Sequence, residues 1–376
     1  MAKALRVLHI ANIGLGNAYI GLPLDLCREC YERFPKVFDD LFDYIKREEI
    51  DLVLIAGNLY SRYLMSGETA HLLRKLEEAK PCRFVIAPGS DDPYTSDSLY
   101  ASGRFPSNVM IFEKDTLDHF DLPELNACVY GWAVLSHRRA VNPLQGATVL
   151  RQDRINLVVG ACDLSAHTLF INTTPESIAA FGADYAALGH GPATPLQYAG
   201  KAAYSHAGFL EGHGFEELGR GGFLRLDIEK DGEEATVSEQ LVTFSRHRFE
   251  TVTLDITGAT DVHDVAQKIG DAIEENGYST DTSLRVILEG ELYPTVTLRR
   301  DSEEFTSFPL SSISFIDRTL PIYRAEELGR DMSIRGMFYL SLSDAIKAAG
   351  EHPPTTTAQA LRIGLAALDG KDIAGI

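Results

Sequence analysis

The first ninety or so positions alternate between short apolar runs and segments with a helical period. Residues 6–12 (RVLHIAN) read as a strand that runs into a glycine-rich turn. Phe34, Val37, Phe38, Leu41, Phe42 and Ile45 then recur at the spacing of one helix face. Residues 51–57 (DLVLIAG) form an unbroken apolar run, the pattern of a strand buried on both faces. The next helix carries Leu72, Leu73 and Leu76, with Ser66 as its expected N-cap. Residues 83–89 (RFVIAPG) give a third strand. Strand–helix–strand–helix–strand in this order predicts a parallel sheet with helices on its faces.

Further strands are predicted at 108–112, 127–134, 155–162, 184–190 and 202–208, and residues 222–242 read as a hairpin with a polar tip. The composition shifts near 245–248. A compact unit follows: strand 249–256, a helix over 261–277 with Val262, Val265, Ile269 and Ile273 inward, and strand 283–291. Helices are expected near 341–349 and over 355–368. No fixed-period repeat is present. In open α/β sheets, ligands gather beyond the carboxyl ends of the strands. The positions that matter therefore follow Asn12, Gly57, Gly89, Val159 and Leu188.

Charge narrows the function classes. Lys and Arg number 35 against 54 Asp and Glu, a net of −19. Duplex DNA is a dense polyanion, so this balance predicts weak or no autonomous nucleic-acid binding. No apolar run approaches the roughly 20 residues of a membrane helix, and the start lacks a leader pattern, so a cytoplasmic protein without membrane contact is expected. Five cysteines, an odd number, fit reduced thiols. Cys27 and Cys30 form one C-x-x-C with no second ligand pair in view, and are read as helix residues.

At the strand exits the residues become specific. Residues 8–16 read LHIANIGLG, 57–60 GNLY, 88–93 PGSDDP and 187–192 ALGHGP. In order and spacing this resembles the calcineurin-like metallophosphoesterases, and within them the SbcD-like DNA repair exonuclease family. Residues 204–223, the unit from about 249 to 291 and the tail from residue 334 are similar to later parts of that family. The resemblance implies a sandwich of two mixed sheets flanked by helices (residues 1–246), a small α+β capping domain (247–318) and a partly helical C-terminal segment (319–376). It also implies a dinuclear metal centre and a coiled-coil ATPase partner of the SbcC type, and family members often form homodimers.

The chemistry at the motif positions departs from that pattern. The first motif's aspartate is Asn12 and its histidine is Gly14. The metal-bridging aspartate is Asn58. The third motif's asparagine and histidine are Ser90 and Asp91. The fourth motif's histidine falls at Gly160 or Ala161, and the second histidine of the fifth is Pro192. Of these positions only His190 is unchanged. Two divalent cations need carboxylates and neutral imidazoles around them, so the expectation is a scaffolding or regulatory protein on a nuclease fold, with no cofactor. The alternative is a hydrolase with a rebuilt mononuclear manganese or magnesium site, drawn from His190, Asp91, Asp92 and His206, with His213 a weaker candidate. Asn12, Asn58 and Ser90 are also read as a neutral polar pocket. His9, inside the first strand, is not read as a ligand.

Overall fold

The computed structural model describes residues 4–19, 21–136, 142–164, 170–292, 296, 298, 303–322, 325–348, 355–368 and 370. Contacts divide the chain into two compact units, Met1–Arg248 and Phe249–Ile376.

The first unit opens with β1 (Leu5–Ile10), α1 (Leu24–Arg47), β2 (Leu52–Ala56), α2 (Ser66–Glu78), β3 (Arg83–Ala87) and β4 (Val109–Ile111). It continues through β5 (Asp118–Leu122), β6 (Ala127–Gly131), β7 (Ile155–Ala161), α3 (Pro175–Phe181), β8 (Tyr185–Gly189), β9 (Gln197–Ala199), β10 (Ala202–His206), β11 (Gly222–Asp231) and β12 (Glu234–Thr243). One six-stranded sheet has the order β12-β11-β1-β2-β3-β4 and the other β5-β6-β7-β8-β10-β9. Both are mixed: β1 to β4 run parallel while β11 pairs antiparallel with β1, and β6, β7, β8 and β10 run parallel while β5 and β9 pair antiparallel at the edges.

Burial follows the two-residue period of a strand. In β2, Leu52, Leu54 and Ala56 enter the core between the sheets with Leu157, Val159, Tyr185 and Ala187. Val53 and Ile55 face the other way, against Phe38, Leu41 and Phe42 of α1 and Leu72 and Leu76 of α2. A third cluster covers the outer face of the second sheet around Trp132, Val158, Ile178 and Phe181. Two mixed sheets flanked by helices are thus the architecture that the sequence predicts.

Local details differ from the sequence reading. Ser66 is the first residue of α2, not its cap. Glu68 caps the helix instead, its carboxylate accepting from the Met65 N–H at 2.9 Å. Cys27 and Cys30 lie on α1 as free thiols.

The boundary falls within the first residues of β13 (Arg248–Asp255), and the second unit goes on through α4 (Val262–Glu275), β14 (Thr282–Glu289) and β15 (Glu291–Leu292). It continues with α5 (Glu303–Thr306), β16 (Ser312–Asp317), β17 (Leu320–Pro321), α6 (Ala325–Leu328), α7 (Ile334–Ala348) and α8 (Thr355–Leu368). Its main sheet has the order β13-β14-β16. Val265, Ile269 and Ile273 of α4 pack on Leu284 and Val286, and the Asp261 carboxylate caps that helix through the Asp264 N–H at 2.9 Å. Strand β16, parallel to β14, was not expected from the sequence. Helix α7 begins seven residues before the expected 341, and position 349 lies outside the described residues. Among the described residues no helix is long and apolar enough to cross a membrane.

Candidate functional site

The carboxyl ends of β1, β2, β3 and β7 meet at one edge of the sandwich. The Asn12 N–H donates to the Gly57 carbonyl at 3.1 Å, and the Gly14 N–H to the Asn58 carbonyl at 2.9 Å. A side chain on Gly57 would sit 3.0 Å from the Ala161 methyl and 3.1 Å from Gly89, so three strand exits touch here. The chain must turn sharply at each. Asn12 has φ +47°, Asn58 +57° and His190 +73°. Asparagine tolerates this left-handed region better than most residues, whereas a histidine there is strained and held by its surroundings.

Asn12, Asn58 and Asp91, separated by up to 79 positions, form one hydrogen-bonded set. The Asn58 Nδ2 donates to Asn12 Oδ1 at 2.6 Å and to Asp91 Oδ2 at 3.2 Å. Its Oδ1 accepts from the Asp91 N–H at 3.0 Å. The Asn12 Nδ2 donates onward to Glu217 Oε1 at 3.2 Å. Glu217 Oε2 accepts in turn from the His213 N–H at 2.9 Å and meets His213 Nδ1 at 3.0 Å. The set therefore runs carboxylate, amide, amide, carboxylate, with the NH2 groups of the two amides donating to the carboxylates at either end.

His213 and Glu217 were the members least visible in the sequence. The only signal is a histidine and a glutamate four apart in a glycine-rich loop between β10 and β11. His213 lies against Tyr19 and Phe34, with ring centres 5.6 Å away in each case. A Cβ placed on Gly14 would be 2.6 Å from His213 Cε1 and 2.8 Å from its Nε2. The imidazole from the loop thus fills the space where a residue-14 side chain would begin. With Nδ1–H donated to Glu217, Nε2 is left as a buried nitrogen without a hydrogen-bond partner.

Asp92 points away from the cleft. Its Oδ1 accepts from the Asn58 and Gly89 N–H groups at 2.9 and 2.6 Å, and its Oδ2 from the Leu59 N–H at 2.6 Å and the Tyr100 hydroxyl at 2.5 Å. Burial pushes its carboxyl up to about 6, with the four donors acting against that shift. Its neighbour Asp91 is exposed, and Ser90 is buried. Asp92 thus ties the turn after β3 to the turn after β2.

His190 is exposed and stacks on Phe170, with ring centres 4.1 Å apart. His206, at the end of β10, is buried, and its Nδ1 has no hydrogen-bond partner. Desolvation lowers its pKa and nearby His190 lowers it further, against the Cys162 carbonyl and Asp163. Pro192 follows His190 in the loop after β8. His9 bridges the two sheets, meeting Tyr185 Oη at 2.9 Å and the Leu188 carbonyl at 3.1 Å, and burial drops its pKa to about 3. It is a neutral structural residue. Among the described residues, no three His, Cys, Asp or Glu side chains come together in a way that could hold a metal ion.

A fold of two mixed sheets with polar residues gathered at the strand exits defines a class, and sequence comparison names it. The family model for calcineurin-like phosphoesterases matches residues 5–194, and the chain belongs to that family. Among solved structures it is similar to TT1561 of Thermus thermophilus, at 14% identity and a TM-score of 0.38 over 63% of this chain and 99% of that one. It is also similar to GAP50, the anchor in the inner membrane complex of Plasmodium, at 12% and 0.37 over 64% and 85%. Vacuolar Protein Sorting 29 from Cryptosporidium parvum matches at 13% and 0.30 over 64% and 99%. No curated protein matches the chain.

Proposed function

We propose that this chain is a non-catalytic, cytoplasmic scaffolding member of the family, laid out like the SbcD-like DNA repair exonucleases, and that its dinuclear metal centre has been replaced by a hydrogen-bonded polar network. The Asn58 carboxamide carries the reading. A pair of divalent cations brings four positive charges and needs a bridging carboxylate. Asn58 instead turns its NH2 toward Asn12 and Asp91, offering protons where a cation needs lone pairs. Gly14 and Ala161 have no donor side chain, and both oxygens of Asp92 are taken by the backbone and Tyr100. These residues do not fit a dinuclear centre.

In this reading residues 1–246 supply the phosphoesterase fold, 247–318 a cap and 319–376 a docking segment for a coiled-coil ATPase of the SbcC type. Support for docking comes from α7 and the turn before it. Met332, Ile334, Met337 and Leu340 are 93%, 70%, 58% and 41% exposed, and the last three, spaced by three, share one helix face. Such an apolar stripe suits a helical partner. Homodimerisation remains part of the proposal. The competing reading, a mononuclear manganese or magnesium site using His190, His206, Asp91 and Asp92, has one observation in its favour: the buried, partnerless Nδ1 of His206 beside His190.

The test is metal analysis of protein purified without chelator, paired with a manganese-supplemented assay on bis(p-nitrophenyl) phosphate. Absence of stoichiometric metal and of cleavage is expected. Tightly held manganese together with cleavage that disappears in His190→Ala would overturn the proposal. A Met337→Glu variant should in addition lose co-purification with a coiled-coil ATPase.

A further inference from the structure

Behind the turn at Gly14 lies a cavity of about 240 Å³. Its walls are Tyr19, Tyr31 and Phe34 from the start of the β1–α1 connection and α1, with Asn17, Asp39 and Glu68 as the main polar groups. Tyr19 and Tyr31 meet edge to face, with ring centres 4.9 Å apart and planes at 86°. They form two perpendicular sides of an aromatic corner. The lining holds two carboxylates and the His71 imidazole but no lysine or arginine. Asp39 commits Oδ1 to Lys75 and His71, each at 2.8 Å. Glu68 commits Oε2 to the Met65 N–H. The cavity thus joins aromatic rings with acceptors, on a chain whose net charge is −19.

We propose that this cavity binds a small organic cation, a methylated ammonium group on a short apolar body. The ring faces of tyrosine and phenylalanine attract a cation that has lost its water, and a methylated ammonium gives up water more readily than a bare one. The Glu68 carboxylate offsets the charge, Asp39 being already paired with the Lys75 ammonium. Size agrees, since a space of about 240 Å³ accommodates a group as small as choline. An uncharged aromatic guest would leave the carboxylates facing an apolar surface. The inference stands apart from the scaffolding proposal, because the cavity needs no metal and no partner chain.

Calorimetric titration with choline chloride, set against its uncharged carbon isostere dimethylbutanol, tests the idea on the full chain. Choline is expected to bind at least about tenfold tighter. Tyr31→Ala, at a side chain 46% exposed and so tolerant of change, should abolish that preference, while Tyr31→Phe keeps it. Glu68→Gln should weaken choline and leave dimethylbutanol unchanged. Equal affinity for the two probes would overturn the proposal by making the cavity merely apolar. So would an absence of saturable choline binding at millimolar concentration in protein shown to be folded.

Discussion

If the His213 ring stands where a residue-14 side chain would begin, the two positions must be energetically coupled. Gly14 has φ +63°, and an L-residue in that region costs about 1–2 kcal/mol. A methyl there would also lie 2.6 Å from His213 Cε1 and 2.5 Å from Asn17 Nδ2. Forcing extra volume into a packed site costs a further ~1–3 kcal/mol. Gly14→Ala should therefore lose about 2–5 kcal/mol of stability. Only the part of the steric cost that comes from the imidazole depends on the histidine. His213→Ala carries its own cost through lost packing on Tyr19 and Phe34, about 3 kcal/mol. In that background the two imidazole contacts are gone and only the Asn17 contact remains, so Gly14→Ala should cost about 1–2 kcal/mol less than in the parent. Urea unfolding of the four proteins measures this, read from the fluorescence of Trp132, the chain's single tryptophan and fully buried. Strictly additive losses would show that the imidazole does not occupy this space. A silent Gly14→Ala would refute the left-handed turn as well.

Three further outcomes are expected. Asp92 has its folded-state carboxyl raised from 3.8 to about 6 by burial, so its contribution is fully present below pH 3.8 and is lost as pH rises through 6. The stability of the parent relative to Asp92→Asn should thus grow by up to about 3 kcal/mol as pH falls from 7 to 4, in pH-resolved urea titrations; a flat difference would contradict the burial account. Asn58→Asp sets a carboxylate oxygen against Asn12 Oδ1 and Asp91 Oδ2, now 2.6 and 3.2 Å from the Asn58 Nδ2. It should destabilise the chain by about 1–3 kcal/mol in thermal melts with chelator present, and unchanged stability would undo the assigned direction of that carboxamide. Lys230→Met leaves Asp184 buried without the ammonium 2.8 Å away, the two side chains being 5% and 9% exposed. A loss of about 3–5 kcal/mol is expected, largely recovered by adding Asp184→Asn, and a loss below 1 kcal/mol would mean the pair is solvated.

The parallel core of the first sheet was legible because β1, β2 and β3 are buried on both faces and α1 carries an unbroken apolar period. The three motif positions Asn12, Asn58 and Asp91 were legible for a related reason. A strand exit is fixed once the strand is, so parallel neighbours bring their exits together without any further signal. His213 was not legible in its role. It reaches Gly14 from a loop about 200 residues downstream with no periodicity of its own, and its partner Glu217 contacts Asn12 across 205 positions. Strand β16 (SISFID) is short and half-buried, so only its pairing with β14 declares it. The early start of α7 was hidden because Ile334 and Met337 are exposed, which breaks the inward period a buried helix would show.

The residues at the exits of β1 and β2 satisfy two demands at once, and on the proposed reading this is how the site keeps its fold with its charge reduced. Each turn needs a residue that accepts positive φ, with a short side chain that can bond across to the neighbouring strand exit. Aspartate and asparagine both meet that need. They differ in one terminal atom, which faces the centre of the cleft. With oxygens there, Asn12, Asn58 and Asp91 would crowd lone pairs around a space that only cations could neutralise. With the NH2 groups present, Asn58 donates to Asn12 and Asp91, and Asn12 donates to Glu217. On the proposed reading, the carboxylates of Asp91 and Glu217 are therefore held by amides in the role that metal ions would otherwise fill. The backbone geometry does not have to move for this exchange to occur.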